Sequence, residues 1–386
     1  MLKYDEIKKF LYEKNFFDNN ERDEILERQK KSIESSNTLM LIIKLTELCN
    51  FRCVYCYEDF SNKNIDKQKS DKIIEFISNQ INRSDFNKVI INWFGGEPLL
   101  NTEAIEYISP KIKRLCDKKG IEYIGSITTN GFLLNEKNFN MLLENSVVSF
   151  QITIDGYDDL HNYQRPLSNG DKTFDTIINN IKMINKKYLG KEKFSIIIRM
   201  NFSNKIFQEI DKIEGWLNEL KDEENIYLDF HSIVDYSDMK HEISDLELIQ
   251  IIESFLRKGF KFINLRNYLS INESLCYAAK NNHYVVDSDC RILKCTVYEN
   301  DESTIGYIDE SGEIKYNKYK RIWDKRYEKN ECEQCLNKAF CNGGACPLYS
   351  KKYGEPRCNK YFGLEQELLK LVEIQGNYEL TLELED

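Results

Sequence analysis

Residues 45–60 read LTELCNFRCVYCYEDF, and the three cysteines within them, Cys49, Cys53 and Cys56, decide how the rest of the chain is read. Their CxxxCxxC spacing crowds three thiols into one short loop, and thiolates are the usual ligands of iron–sulfur clusters. Three such ligands hold three corners of a four-iron cluster and leave the fourth iron open as a reaction centre. A zinc site would need a fourth ligand nearby, and neither His nor a further Cys occurs in the fifty residues that follow. The bland alternative, three small buried hydrophobes, leaves the cysteine groupings downstream without a purpose.

This loop resembles the CxxxCxΦC motif of the radical SAM superfamily, where Φ is aromatic, with Tyr55 standing before Cys56. After the β-branched run KVIINWF, the segment FGGEPLL supplies Gly95, Gly96, Glu97 and Pro98. They are similar to that superfamily's GGEP segment, which holds the ammonium group of S-adenosylmethionine. Two residues without a β-carbon let a backbone approach a ligand, and a carboxylate accepts from a cation. Alone, Gly-Gly beside Pro is also an ordinary turn signal.

More of the resemblance follows downstream. ITTNGFLL carries Thr129, Asn130 and Gly131, and QITIDGYDDLHNYQRP carries Thr153, Asp155, Gly156, His161 and Arg165. The second is similar to the SxDG…H…R segment of radical SAM peptide-modifying enzymes. The resemblance implies cofactor contacts from Tyr55, Gly95, Gly96, Glu97, Pro98, Thr129, Asn130, Thr153, Asp155, Arg165 and Arg199. Arg165 suits the carboxylate end of the cofactor, because a guanidinium forks onto a carboxylate; otherwise it is a solvated loop arginine before Pro166. Arg199 and Asn201 either face the ribose and methionine or pair with a neighbouring strand. His161 is either a proton-transfer group or a helix-start histidine with a structural hydrogen bond.

The fold reading rests on alternation. β-rich runs occur at 39–46, 88–94, 121–129, 147–154, 193–202 and 225–234, with amphipathic stretches between them. Strands alternating with helices predict an α/β fold with a parallel sheet, and the near-continuous run SIIIRM fits a sheet buried on both faces. An open doubly wound sheet and a barrel share this pattern. The candidate residues, however, fall at the C-terminal ends of the strands, where barrel enzymes build their sites. The resemblance then implies a partial (β/α)6 barrel over 39–240, after a charged helical extension at 1–38. A linker helix and a cysteine-rich domain are expected over 241–386.

Cys276, Cys290, Cys295, Cys332, Cys335, Cys341, Cys346 and Cys358 are enough thiols for two four-thiolate clusters, with Cys116 left over as a buried helix residue. On its own, the Cys332, Cys335, Cys341 and Cys346 set also reads as a zinc ribbon. CEQCLNKAFCNGGAC with Cys358 resembles the SPASM extension of radical SAM enzymes, which holds two auxiliary [4Fe-4S] clusters. By that resemblance Cys332, Cys335, Cys341 and Cys358 hold the distal cluster, and Cys276, Cys295 and Cys346 the one nearer the barrel. The Cys341–Cys346 gap is four residues where the family commonly has three, and Cys290 stands where it usually has Gly. Cys290 is expected to be the fourth ligand of the nearer cluster.

Such enzymes mostly act on peptides or proteins. Sulfatase-maturing members typically carry Gln before GGEP and an Asp base after the cysteine matching Cys295; here those positions are Phe94 and Thr296. The expectation is therefore a maturase of a ribosomally made peptide, forming thioether or carbon–carbon cross-links. The alternatives are sulfatase maturation, a small-molecule radical SAM enzyme, or a non-catalytic electron-transfer protein. Expected cofactors are S-adenosylmethionine and three [4Fe-4S] clusters. Expected partners are a peptide or protein substrate and a flavodoxin- or ferredoxin-type electron donor, with leader binding assigned either to a separate leader-peptide-binding protein or to the helices at 1–38.

The 386 residues exceed what one core usually serves. With 54 Lys plus Arg against 64 Asp plus Glu, a net charge of -10 and no basic cluster, nucleic acid is not an expected partner. No signal peptide or membrane span is read, and twelve cysteines then suggest metal ligation in a reducing cytoplasm.

Overall fold

A computed structural model describes residues 37–58, 60–235, 240–263, 277–297 and 303–324. Six strands stand where the apolar runs predict them: β1 Thr38–Lys44, β2 Lys88–Phe94, β3 Glu122–Thr129, β4 Val147–Thr153, β5 Ser195–Phe202 and β6 Ile226–Ser232. They pair in parallel and in sequential order. A doubly wound sheet reverses its order at a switch point. This one does not, and β6 does not close onto β1, which gives the wall of a partial barrel.

Helices cover one face. In α1 (Lys67–Arg83), Ile73, Phe76, Ile77 and Ile81 recur at helical spacing and are buried, while the Asp66 side chain accepts from Lys69 N–H at the N-cap. In α2 (Thr102–Lys119), Ile105, Ile108, Ile112 and Cys116 do the same, so Cys116 is the helix core residue expected of it. The left-handed Gly120 ends that helix. The expectation of strands buried on both faces needs correction. In β5 the residues Ile196, Ile198, Met200 and Phe202 are buried, while Ser195, Ile197, Arg199 and Asn201 are only half-buried. The inner face is therefore polar and open, with Thr153, Arg199 and Asp229 in one register across β4, β5 and β6.

The sheet runs on past residue 240. Beyond the short pair β7 (Val234–Asp235) and β8 (Lys240–His241) and the helix Asp245–Arg257, strand β9 (His283–Val286) lies parallel to β1. Strands β10 (Arg291–Leu293), β11 (Thr304–Ile308) and β12 (Ile314–Tyr316) follow antiparallel, making one sheet of ten strands. The expected helices at 1–38 lie outside the described residues, as do Cys276, Cys332, Cys335, Cys341, Cys346 and Cys358. Among the described residues no helix is long and apolar enough to cross a membrane.

Candidate active site

The cysteine loop leaves the C-terminal end of β1 and is laced to its surroundings by backbone hydrogen bonds. Arg52 N–H donates to Pro166 O at 2.9 Å and Val54 N–H to Gln164 O at 2.9 Å. On the other side Gly96 N–H donates to Thr46 O at 2.9 Å and Glu97 N–H to Leu48 O at 2.8 Å. A β-carbon on Gly95, at φ +124°, would stand 2.3 Å from Thr46 O, and one on Gly96 2.4 Å from Leu48 O. The space left by the missing β-carbons is thus filled by the approach of the cysteine loop itself, where the sequence reading reserved it for a ligand.

Glu97 differs in the same sense. Its fully buried carboxylate accepts at Oε1 from Thr129 Oγ1 (2.7 Å) and Leu99 N–H (3.0 Å), and at Oε2 from Asn130 N–H (2.8 Å). Three of about four lone-pair positions are used. The carboxylate therefore clamps the end of β2 to the end of β3 and caps the turn Pro98–Leu100, with one lone-pair position left over. Asn130 extends the clamp, its Nδ2 donating to Asn50 Oδ1 at 2.8 Å.

Tyr55 reaches across the loop to Asp155. Its hydroxyl donates to Asp155 Oδ2 and accepts from Arg165 Nη1 and from Asn201 Nδ2, the last at 3.3 Å. Asp155, fully buried, also accepts from Asn201 N–H at 2.7 Å and pairs with Arg165 at 3.5 Å. Burial holds the Asp155 carboxyl above its usual range, against the pull of Arg165. Arg165 is 8 % exposed, so the solvated-loop reading fails, and its buried Nε has no partner among the described residues. That orphan donor fits an anionic ligand. His161 takes its structural reading: Nδ1 accepts from Asp155 N–H at 3.1 Å, and burial pushes the ring well below its ordinary pKa.

The thiols are free in all three positions. Phe51 N–H donates to Cys49 Sγ at 3.4 Å, and Asn130 Nδ2 stands 4.0 Å from the same sulfur. Arg165 acts on Cys53 and Cys56, and Lys44, buried in a 2.7 Å pair with Glu58, acts on Cys56. Burial pushes all three thiols up and these donors and cations oppose it only in part, so it is the grouping of three thiols in one loop that suits a cluster chemically. Burial pushes the Cys49 thiol up to about 12, so loading it with iron must release its proton. Among the described residues no three His, Cys, Asp or Glu side chains converge tightly enough for a single metal ion. Cluster ligands each bind their own iron and need no such convergence.

Arg199 takes the strand-pairing alternative. Its Nε donates to Asn201 Oδ1 and its Nη1 to Asp229 Oδ2, both at 3.1 Å. Thr153 lies beside it in register and is buried. Asp229 and His231, joined at 2.9 Å, went unremarked in the sequence. The signal was there in YLDFHS, where two ionisable residues sit two apart in an apolar strand and so share a face.

Cys290 and Cys295 flank β10, and that separation speaks against their sharing a cluster. Cys290 closes the turn after β9 at φ +60°, the left-handed conformation that explains why Gly is usual there, and its buried sulfur lies 3.9 Å from Lys69 O. β10 then runs as extended chain, at about 3.4 Å per residue, and carries Cys295 to the opposite end of the strand. Replacing Cys290 by Gly is expected to leave the iron content unchanged. Stability should stay within about 1 kcal/mol of wild type, because relief of left-handed strain offsets the lost burial. Iron assay and chemical unfolding check this; a loss of about four irons would restore the ligand role.

Residues 43–217 match the family profile described as the radical SAM superfamily. Over those residues the chain carries a radical SAM domain, and its relatives mark it as an enzyme. That domain supports S-adenosylmethionine and a [4Fe-4S] cluster as its cofactors. The chain is 26% identical over 328 residues to a cysteine-type anaerobic sulfatase-maturating enzyme of Clostridium novyi (strain NT), covering 77% of this chain and 82% of that one. It is 24% identical over 382 residues to the radical SAM cyclopropyl synthase TigE of Paramaledivibacter caminithermalis, covering 89% and 76%. The solved structure of native anSMEcpe with bound AdoMet and Cp18Cys peptide shares the fold, with a TM-score of 0.65 at 21% identity over 88% of this chain and 99% of that one. The chain is thus similar to the sulfatase-maturating type well beyond its radical SAM domain.

Proposed function

We propose that this radical SAM enzyme matures a ribosomally made peptide, installing a thioether or carbon–carbon cross-link, with a cluster on Cys49, Cys53 and Cys56. When bound, the cluster and S-adenosylmethionine supply a 5'-deoxyadenosyl radical that abstracts hydrogen from an unactivated carbon. The chain's part is to orient and to exclude water. Arg165 Nε offers its free donor to the cofactor's carboxylate, and Tyr55, Asp155 and Asn201 hold that guanidinium in place. The clamp of Gly95, Gly96 and Glu97 holds the cysteine loop against β2 and β3. Two auxiliary clusters on the C-terminal cysteines, an electron-donor protein and a leader-binding partner complete the proposal.

The observation that favours cross-linking over sulfatase maturation is Thr296. It stands where the sulfatase-maturing resemblance calls for an Asp base, and its hydroxyl is tied to Tyr277 Oη at 2.8 Å. Sulfatase maturation is the second reading, favoured by the Clostridium novyi relative. Anaerobic co-expression with the short peptides encoded beside the gene separates the two. A mass lower by two hydrogens is expected; an aldehyde trapped on a sulfatase-derived peptide, with no mass loss in the neighbouring peptides, would favour the second reading instead.

A further inference from the structure

Asp229 and His231 sit on the inner face of β6, outside the network around Tyr55. Asp229 is 4% exposed; its Oδ2 accepts from Arg199 Nη1 at 3.1 Å and its Oδ1 meets His231 Nε2 at 2.9 Å. A carboxylate held by a guanidinium only accepts, so in the neutral ring Nε2 carries the hydrogen and Nδ1 the lone pair. No described residue donates to Nδ1, and the ring is 32% exposed.

The position matters as much as the bond. His231 is in register with Asn201, about 4.8 Å away across neighbouring strands. Asn201 in turn touches the Tyr55 hydroxyl of the cysteine loop. Arg199 holds Asn201 with Nε and Asp229 with Nη1, so one guanidinium fixes the cofactor-side network and the His231 pair in a single frame.

A histidine with one nitrogen on a buried carboxylate and a lone pair towards an open polar face is arranged as a general base. The geometry points to His231 as the residue that takes the substrate's proton, with Asp229 and Arg199 as positioning residues. This rests on the cross-linking reading above. Joining a carbon that has lost a hydrogen atom to a thiol, amine or hydroxyl of the same peptide breaks the X–H bond and forms C–X. One proton and one electron leave; the proton goes to His231 Nδ1 and the electron to an iron–sulfur acceptor.

The test uses the holoenzyme, the neighbouring peptide that shows the two-hydrogen loss, and the variants His231→Gln and His231→Ala. His231→Gln should form 5'-deoxyadenosine within about threefold of wild type while cross-linked peptide falls about 100-fold or more. Its calorimetric affinity for the unmodified peptide should be unchanged, measured on the holoenzyme without S-adenosylmethionine. Added imidazole should restore cross-linking to His231→Ala, which a merely structural histidine would not allow. Cross-linking retained within about tenfold in His231→Gln, or lost together with peptide affinity, overturns the assignment. No 5'-deoxyadenosine from the unsubstituted enzyme overturns the parent reading, and this one with it.

Discussion

Replacing Cys49, Cys53 and Cys56 together by Ala is expected to remove about four of about twelve irons per chain and all cleavage of S-adenosylmethionine. The remaining iron belongs to the proposed auxiliary clusters and should stay. The loop should keep its course, because its anchors are not sulfur. Arg52 and Val54 donate their backbone N–H groups to Pro166 and Gln164, and Tyr55 is tied to Asp155 and Arg165. Iron assay, chromatographic detection of 5'-deoxyadenosine and thermal unfolding together check this. Cleavage that survives in the triple variant would remove the cluster from this loop.

The second large effect is expected from Gly96→Ala. The new methyl would lie 2.4 Å from Leu48 O, with Leu48 C and Glu47 O also closer than 3.0 Å. All three are backbone atoms, so no rotamer change relieves the clash. Ordinary overpacking costs about 1–3 kcal/mol, and a clash against backbone on a buried seam should reach the top of that range or exceed it. Leu48 precedes Cys49, so iron uptake should fall with stability. Gly215→Ala is the contrast: it sits in a helix with nothing within 4 Å of the added carbon. It should stabilise by about 0.5–1 kcal/mol. Urea unfolding of both variants checks the pair, and similar midpoints would show that the seam is looser than described.

The barrel wall was legible because parallel strands are read from continuous apolar runs, and all six runs from 39–46 to 225–234 became strands. The extension by β9 to β12 was not, because strands of four, three, five and three residues carry too little pattern. In the site, spacing disclosed which residues gather but not what each one touches. Gly95, Gly96 and Glu97 read as ligand contacts, and the structure adds Thr46, Leu48, Thr129 and Asn130 as their neighbours, residues 32 to 49 positions distant in sequence that only the parallel register brings together. Arg199 likewise carried two readings in the sequence, and the register supplies the partner of one of them, Asp229 on the next strand.

Strand β1 has partners on both edges: β2 on one side and β9 on the other. The turn after β9 also reaches the entry to the cysteine loop, where Ser288 Oγ donates to Glu47 Oε1 at 3.0 Å and Asp289 pairs with Lys63 at 2.9 Å. Cutting the chain after residue 240 would bare a row of backbone donors and acceptors along β1, the template on which strands aggregate. The two halves of this enzyme are therefore poor cassettes. A chimera that grafts a relative's C-terminal half onto this barrel must bring a strand that matches the β1 edge, or it inherits a loop whose footing has been taken away.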